Sequence, residues 1–506
     1  MTRPPPPRSV RHAWLTALIV LAAVLLGPAR AAAPPDRERW YVIELAGQPA
    51  GWMMSSQGES EGAITSVSRM RIEMRRGATA VVMETSSTAR EKPDGTPIAI
   101  ESEMKFGTAP VRQRITFEGD KATVVSSQGG QDVSQDVALK GDWLMPAAAE
   151  RFVRARVAEK ADPITVRTVD ASTGFQVIEV TRRGFEPARI EIDGKPTDAV
   201  KSRSTTSAVP GLETTEYSDA EGIPLRVETT MMGIKMVMSA TTRERALGLR
   251  AGEMPELMVR TFVKPDRAIG HARRTTRASY LLSADEGQPP LPPTLGAQAA
   301  ERLADGAVRV RIDVGAPAPA GADEAADEAF LASSPAVNTG DEELRRLLGL
   351  AIRDAGDDRA ARAEAARAFV SRYIRKKSLS VGFATASEVA RTREGDCTEH
   401  AVLLAALLRA DGTPARVASG LIYADQFAGE REIFGYHMWT QALLTGADGV
   451  PRWFDLDATL PPGGPATDAT HIALSVSSLG EGHMQESFAG LAAIMGQLRI
   501  IVERAE

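Results

Sequence analysis

Between residues 38 and 285 apolar side chains fall on alternate positions, in runs broken by turn chemistry. Trp40–Leu45, Ile64–Met74, Ile98–Met104, Arg114–Phe117, Ile164–Val169, Phe175–Val180 and Leu225–Thr230 follow this pattern and are rich in Val, Ile and Thr. That is the signature of half-buried strands. Pro93-Asp94-Gly95, Glu118-Gly119-Asp120 and Asp193-Gly194 supply the turns. Helical spacing is scarce, with Met145–Arg156 the main exception. The pattern predicts a strongly curved sheet or a sandwich. Gly95–Met104 also resembles Gly222–Met231: both read Gly, any, Pro, apolar, any, apolar, Glu, hydroxyl, any, Met, at an offset of 127. A duplicated β unit would produce this, and so would chance agreement between two turn-then-strand segments.

The pattern changes twice more. Residues 286–340 are rich in Pro, Ala and Gly, with one strand predicted at Val308–Val314, and read as a linker or decorating segment. From Asp341 the spacing turns helical. Ala366, Phe369, Val370, Tyr373 and Ile374 share one face. The expected division is therefore a β-rich region at 34–285, a linker at 286–340 and a second domain at 341–506. The fold class is α+β.

Composition sharpens this picture. The 506 residues are 43% apolar and 25% charged, ordinary values that exclude wholesale disorder. One cysteine excludes an internal disulfide, a cysteine zinc finger and an iron–sulfur site. A net charge of −6 argues against nucleic-acid binding. At the N-terminus, Arg3, Arg8 and Arg11 precede the apolar run Ala13–Leu26 and the small-residue stretch Ala29–Ala33. Residues 1–33 read as a secretory signal, which predicts a periplasmic or secreted protein with no stable membrane span after cleavage. An uncleaved N-terminal anchor is the alternative. Losing four arginines and no acids on cleavage would take the charge from −6 to −10.

The single cysteine sits in Gly395-Asp396-Cys397-Thr398-Glu399-His400, ahead of the apolar run Ala401–Ala410. Asp396 has N-cap chemistry and Glu399 completes a capping box, so Cys397 becomes the first residue of a buried helix. The helix dipole there favours thiolate; a small buried core cysteine is the bland alternative. Downstream, Gly435–Leu443 and Trp453–Leu460 read as an antiparallel hairpin. Opposed residues in such a hairpin sum to 895 for a four-residue loop or 896 for a five-residue loop. This places Asp457 nearer to His437 than Asp455. A thiol, a base and a carboxylate are what nucleophilic catalysis requires.

Gly395-Asp396-Cys397, His437-Met438-Trp439 and Trp453…Asp457-Ala458-Thr459 resemble, in that order, the marks of the transglutaminase-like superfamily, whose core is related to the papain fold. Pro414-Ala415-Arg416-Val417…Gly420 is similar to its strand after the cysteine helix. Ala458 stands where proline is usual. The resemblance spans roughly 360–465. It implies Cys397 as nucleophile, His437 as general base and acid, Asp457 as the residue orienting His437, and the Cys397 N–H as one oxyanion donor. The sequence itself indicates no metal or organic cofactor, and the calcium dependence of some members would need acidic clusters that are not seen in it.

Other candidates read more blandly. His400 is expected to be structural, Asp455 a neighbouring acid, and Trp439 and Trp453 core or pocket walls. Arg416 is expected to be an exposed strand arginine, and Met231, Met232, Met236 and Met238 sheet packing rather than a copper site. The functional expectation is an exported cysteine enzyme acting on protein or peptide amide bonds through a thioester, with hydrolysis favoured over deamidation and cross-linking. The alternative is a non-catalytic cell-envelope scaffold. In either case the β-rich region is a candidate surface for an envelope partner.

Overall fold

The structure is a computed structural model. It describes residues 38–506 apart from 77–78, 107–109, 129–130, 171–174, 209–211, 232–233, 249–260, 285–287, 290, 378–383 and 481–497. The expected signal at 1–33 lies outside the described residues.

The N-terminal region is one antiparallel sheet. Its strands are β1 (Arg39–Leu45), β2 (Gln48–Ser60), β3 (Ala63–Arg76), β4 (Thr79–Glu91), β5 (Pro97–Phe106), β6 (Pro110–Glu118), β7 (Lys121–Gln128), β8 (Gln131–Ala138), β9 (Ile164–Asp170), β10 (Gln176–Ile192), β11 (Lys195–Thr206), β12 (Glu213–Ser218), β13 (Pro224–Met231) and β14 (Ile234–Thr241). They form a 14-stranded sheet in which β1 lies beside β14, while β8 and β9 form the two edges. The sheet curls strongly. Phe117 of β6 meets Phe175, just before β10, at 5.7 Å between ring centroids, although many strands separate them in the sheet. Ile100, Ile115, Val124, Val169 and Phe175 share one buried cluster. Of the two expected forms the curved sheet is present, not the sandwich.

Shifting by 127 residues lays β1–β6 over β9–β14 in order, and β5 and β13 both begin at the shifted proline. The preceding turns also match. Lys92 N–H donates to Thr96 O at 2.8 Å and Gly95 N–H to Lys92 O at 2.8 Å; Asp219 N–H donates to Ile223 O at 2.8 Å and Gly222 N–H to Asp219 O at 3.0 Å. The internal repeat is therefore structural. Helix α1 (Pro146–Ala158) rests on both turns, since a Cβ on Gly95 would lie 3.2 Å from Ala148 and one on Gly222 3.0 Å from Val157. It starts with Pro146 and has no side-chain cap of its own. The buried Glu91 carboxylate of β4 instead accepts from Ala147 N–H and Ala148 N–H, at 2.9 Å each. A carboxylate at a helix N-terminus is favoured by the dipole.

The remaining residues build a second unit whose limits differ from the expected 286–340 linker and 341–506 domain. Strands β15 (Arg277–Ala284), β16 (Gln298–Arg302), β17 (Val308–Asp313) and β22 (Leu498–Ala505) pair in the order β16-β17-β15-β22. The supposed linker thus shares a sheet with the chain's last strand. A central sheet follows the order β20-β19-β18-β21, with β18 at Ala415–Phe427, β19 at Glu430–Thr445, β20 at Pro451–Leu456 and β21 at His471–Ser477. Helices α2 (Glu342–Ala351), α3 (Arg359–Tyr373), α4 (Ala386–Thr392) and α5 (Cys397–Ala410) cover this central sheet, burying Val417, Met438 and Ala442. The β15-containing sheet packs Tyr280 and Val310 against Leu421, Tyr423 and Phe434. Ala366, Val370 and Ile374 of the expected helical face are buried, and Phe369 stacks on Tyr373 at 5.2 Å. Among the described residues no helix is long and apolar enough to cross a membrane.

Candidate active site

Cys397 opens helix α5 as expected. The Asp396 side chain accepts from Thr398 N–H at 2.9 Å, and Glu399 Oε2 accepts from Asp396 N–H at 2.9 Å, so both halves of the capping box are made. Glu399 is fully buried and its Oε1 also accepts from Ala384 N–H at 3.1 Å. Burial, then the neighbouring Asp396, pushes its pKa well above the usual carboxylate range. Gly395 is required by packing: a Cβ there would lie 2.2 Å from Glu399 Cβ. Cys397 itself is partly buried and unpaired by disulfide.

His437 comes from β19. The hairpin pairs Thr440 with Leu456 and Thr445 with Pro451, the register of a five-residue loop. The β20 ladder stops at Leu456, before the expected strand end at Leu460. Asp457 therefore reaches His437 from just beyond the last pair. His437 Nε2 lies 2.9 Å from Asp457 Oδ2, which leaves Nδ1 for Cys397. Burial would lower the His437 pKa, but Asp457 and then Cys397 outweigh it and raise it to about 9.

Asp457 is fully buried and fully partnered. Oδ1 accepts from Thr459 N–H and from Thr459 Oγ1–H, both at 2.7 Å. Oδ2 receives His437 and also His471 Nε2 at 3.2 Å. An ionised carboxylate offers about four acceptor positions, and all are used. Although burial opposes ionisation, the two histidines hold the Asp457 pKa well below the usual range. The turn after Asp457 is pinned by buried Arg367 of α3, which donates to Asp457 O at 3.0 Å and Leu460 O at 3.2 Å.

His471 opens β21 and was not among the sequence candidates. Its Nδ1 lies 3.1 Å from Asp468 O and 3.4 Å from Asp468 Oδ1. Asp468 pairs with Arg273 at 2.7 Å. The β21 backbone approaches closely enough that a Cβ on Gly420, which pairs with His437, would lie 1.9 Å from Ile472 O. His437, Asp457 and His471 bring three potential metal-ligand atoms within 4.8 Å of one another. Those same atoms already serve one another as hydrogen-bond donors and acceptor.

The other candidates resolve individually. Asp455 Oδ1 accepts from Trp439 Nε1–H at 2.6 Å and Gln441 Nε2–H at 2.7 Å, and so faces away from the His437 role. Trp439 and Trp453 are buried walls, with Trp439 stacked near His437 at 6.1 Å. His400 is buried, its Nδ1 2.6 Å from Asp396 O, and burial lowers its pKa. Arg416 is not exposed: it is 1% accessible, held by Gln441 at 2.8 Å and by Glu324. Both faces of β18 are covered from Ala415 to Leu421, so Arg416 has no outward position there. Met236 and Met238 pack with Tyr41, Ile43 and Met53 in the curved sheet; the side chains of Met231 and Met232 lie outside the described residues.

The start of α5, strand β19 and the turn after β20 bring Cys397, His437 and Asp457 together. Residues 348–458 match the transglutaminase-like superfamily. The matched segment holds all three residues and lies close to the expected 360–465. The superfamily is one of cysteine hydrolases and acyltransferases. Arg273, Asp468 and His471 lie outside the transglutaminase-like segment. No curated protein matches the chain. Among solved structures, a beta-barrel-like protein of a domain of unknown function from Brucella abortus shares 15% identity, covering 40% of this chain and 95% of its own, at a TM-score of 0.33. A protein from Cytophaga hutchinsonii, described as a "Putative Cysteine Protease", shares 15% identity over 44% of this chain and 83% of its own, at a TM-score of 0.25. Neither likeness is close enough to transfer a fold or an activity.

Proposed function

We propose that this chain is an exported cysteine enzyme that cleaves protein or peptide amides through a thioester. The observation that carries the reading is the Asp457 carboxylate, buried and ionised, 2.9 Å from the His437 ring that faces Cys397. In the first step His437 takes the Cys397 proton and sulfur attacks the amide carbonyl. The Cys397 N–H, in the first turn of α5 where amides lack helical acceptors, serves the developing oxyanion. The C–N bond then breaks and His437 returns the proton to the departing amine. In the second step His437 takes a proton from water, hydroxide adds to the thioester carbonyl, and the C–S bond breaks. A carboxylic acid leaves and the thiol is restored. Asp457 stays ionised throughout and stabilises the imidazolium.

The sequence of residues 1–33 supports export to the periplasm or the cell exterior. The test is to incubate the protein with envelope proteins and read new amino termini, deamidated glutamine and isopeptides by mass spectrometry. Hydrolysis predicts new termini that disappear with Cys397→Ala. Isopeptides or deamidation alone would redirect the assignment to acyl transfer or deamidation. Termini that persist in the variant would contradict it.

A further inference from the structure

Asp457 Oδ2 is shared by two histidines, and only one of them faces the thiol. Both ring nitrogens of His471 meet oxygen: Nε2 faces the Asp457 carboxylate at 3.2 Å, and Nδ1 faces Asp468 O at 3.1 Å and Asp468 Oδ1 at 3.4 Å. Neither a carbonyl nor a carboxylate that is ionised can donate, so the ring satisfies both only by donating twice, as an imidazolium. His437 differs, because only its Nε2 meets a carboxylate.

We propose that His471 is a positioning residue of this site: a fixed imidazolium that shares Asp457 Oδ2 with His437 and sets how tightly His437 holds its proton. The inference rests on the catalytic reading of Cys397 and His437 given above. The groups packed around His471 bear it out as a closed charge array. Asp457 follows β20, His437 and Trp439 project from β19, and Asp468 precedes β21 with Arg273 behind it. The two imidazoles lie 5.8 Å apart between ring centroids, and Trp439 meets His471 edge-on at 5.1 Å. Trp439 closes one side with an apolar ring, and among the described residues the charged groups that face His471 are Asp457, Asp468 and His437, with Arg273 behind Asp468.

The loop carrying Asp468 is itself anchored outside the transglutaminase-like segment. Ala469 N–H donates to Thr275 O at 2.8 Å, Tyr280 Oη–H to Ala469 O at 3.0 Å, and Thr470 N–H to Asp468 Oδ1 at 2.9 Å. Residues 273–280 therefore reach the nucleophile through Asp468, His471, Asp457 and His437 in turn. A positive charge on the far side of Asp457 competes with His437 for the same oxygen. It lowers the proton affinity of His437, keeping that ring able to release its proton during turnover. The raised pKa of His471, about 10, reflects burial overcome by Asp468 and Asp457 and agrees with the doubly donating geometry.

Because the chain has one cysteine, alkylation by iodoacetamide reads Cys397 with no substrate needed. The experiment measures that rate from about pH 4 to pH 11 in the full chain, in H437Q and in H471Q. The wild type should show a step belonging to His437 that H437Q lacks. In H471Q a neutral amide replaces the imidazolium, and the step should move up by about one pH unit. A merely structural histidine would slow labelling without moving the step, and that result overturns the inference. If H437Q leaves the wild-type profile unchanged, the catalytic reading fails instead. Should H471Q not fold, as judged by its melting curve, histidine ring 15N spectra of the wild type decide. With its resonances assigned, His471 should carry protons on both nitrogens at about pH 8, and a singly protonated His471 ring would overturn the inference.

Discussion

Arg416 lies over the face of Trp453, its guanidinium carbon 3.9 Å from the ring centroid. Phe330 meets the same indole edge-on at 5.0 Å, and Glu324 pairs with the guanidinium. The Pro/Ala-rich segment is thus fastened to the sheet that carries the candidate site. A desolvated cation–π contact contributes about 2 kcal/mol or more, and truncation also removes a buried side chain. Arg416→Ala should destabilise the C-terminal unit by about 2–4 kcal/mol. Urea unfolding followed by tryptophan fluorescence would show it; an unchanged midpoint would mean the segment is not fastened there.

Gly395→Ala should disturb the start of α5. The added methyl would occupy the space of Glu399 Cβ, only 2.2 Å away, so one half of the capping box must open. Losing a cap costs about 1 kcal/mol, and the Cys397 turn moves with it. Alkylation of Cys397 should slow at least severalfold, while the N-terminal sheet keeps its own unfolding transition.

Asp457→Asn would leave two histidines sharing one neutral side chain. Activity should fall by roughly 10²–10⁴-fold, the range associated with loss of a positioned proton-transfer partner. Breaking a buried ion pair also costs about 3–5 kcal/mol. Turnover and urea stability, measured together, should both drop. Full activity in this variant would remove Asp457 from the proposed mechanism.

Glu150, buried on α1 beside Gln57, has its pKa pushed up to about 8 by burial, against the pull of Arg39 and Arg154. The folded state therefore binds this proton more tightly than the unfolded chain. Its contribution is constant below about pH 4.5 and is lost as pH rises from there through 8. Glu150→Gln should match the wild type more closely at pH 5 and be the more stable of the two at pH 9. The pH dependence of the N-terminal sheet's urea transition checks this, and a parallel offset at both values would contradict it.

What could be read from the sequence was local. Asp396, Cys397 and Glu399 lie within one turn, so the capping box and the thiol's position follow from spacing alone. The Gly446–Val450 loop likewise sets the register that delivers Asp457 to the end of β20. The repeat at Gly95 and Gly222 was visible because identical turns require the same residues. Pairings over long separations were not legible. The last strand, Leu498–Ala505, completes a sheet begun at Arg277, and no local pattern announces that partner. Arg416 resembled a surface residue because β18 gains a second cover only after the 316–330 segment docks. His471 stood in a plain strand start, and its meaning depends on Asp457, fourteen residues earlier, and on Arg273, almost two hundred residues away. A histidine immediately after the Asp468-Ala469-Thr470 turn was the only trace.

The central claim is that His437, oriented by Asp457, makes Cys397 a nucleophile toward amide carbonyls. The direct measurement is covalent labelling by a thiol-directed amide-mimic probe, quantified by intact mass and mapped to the peptide containing Cys397. The wild type should take up one adduct per chain on that residue. Cys397→Ala should take up none while melting like the wild type, and His437→Gln should label about 100-fold more slowly. Equal labelling of the wild type and His437→Gln, or adducts that persist in Cys397→Ala, would contradict the claim.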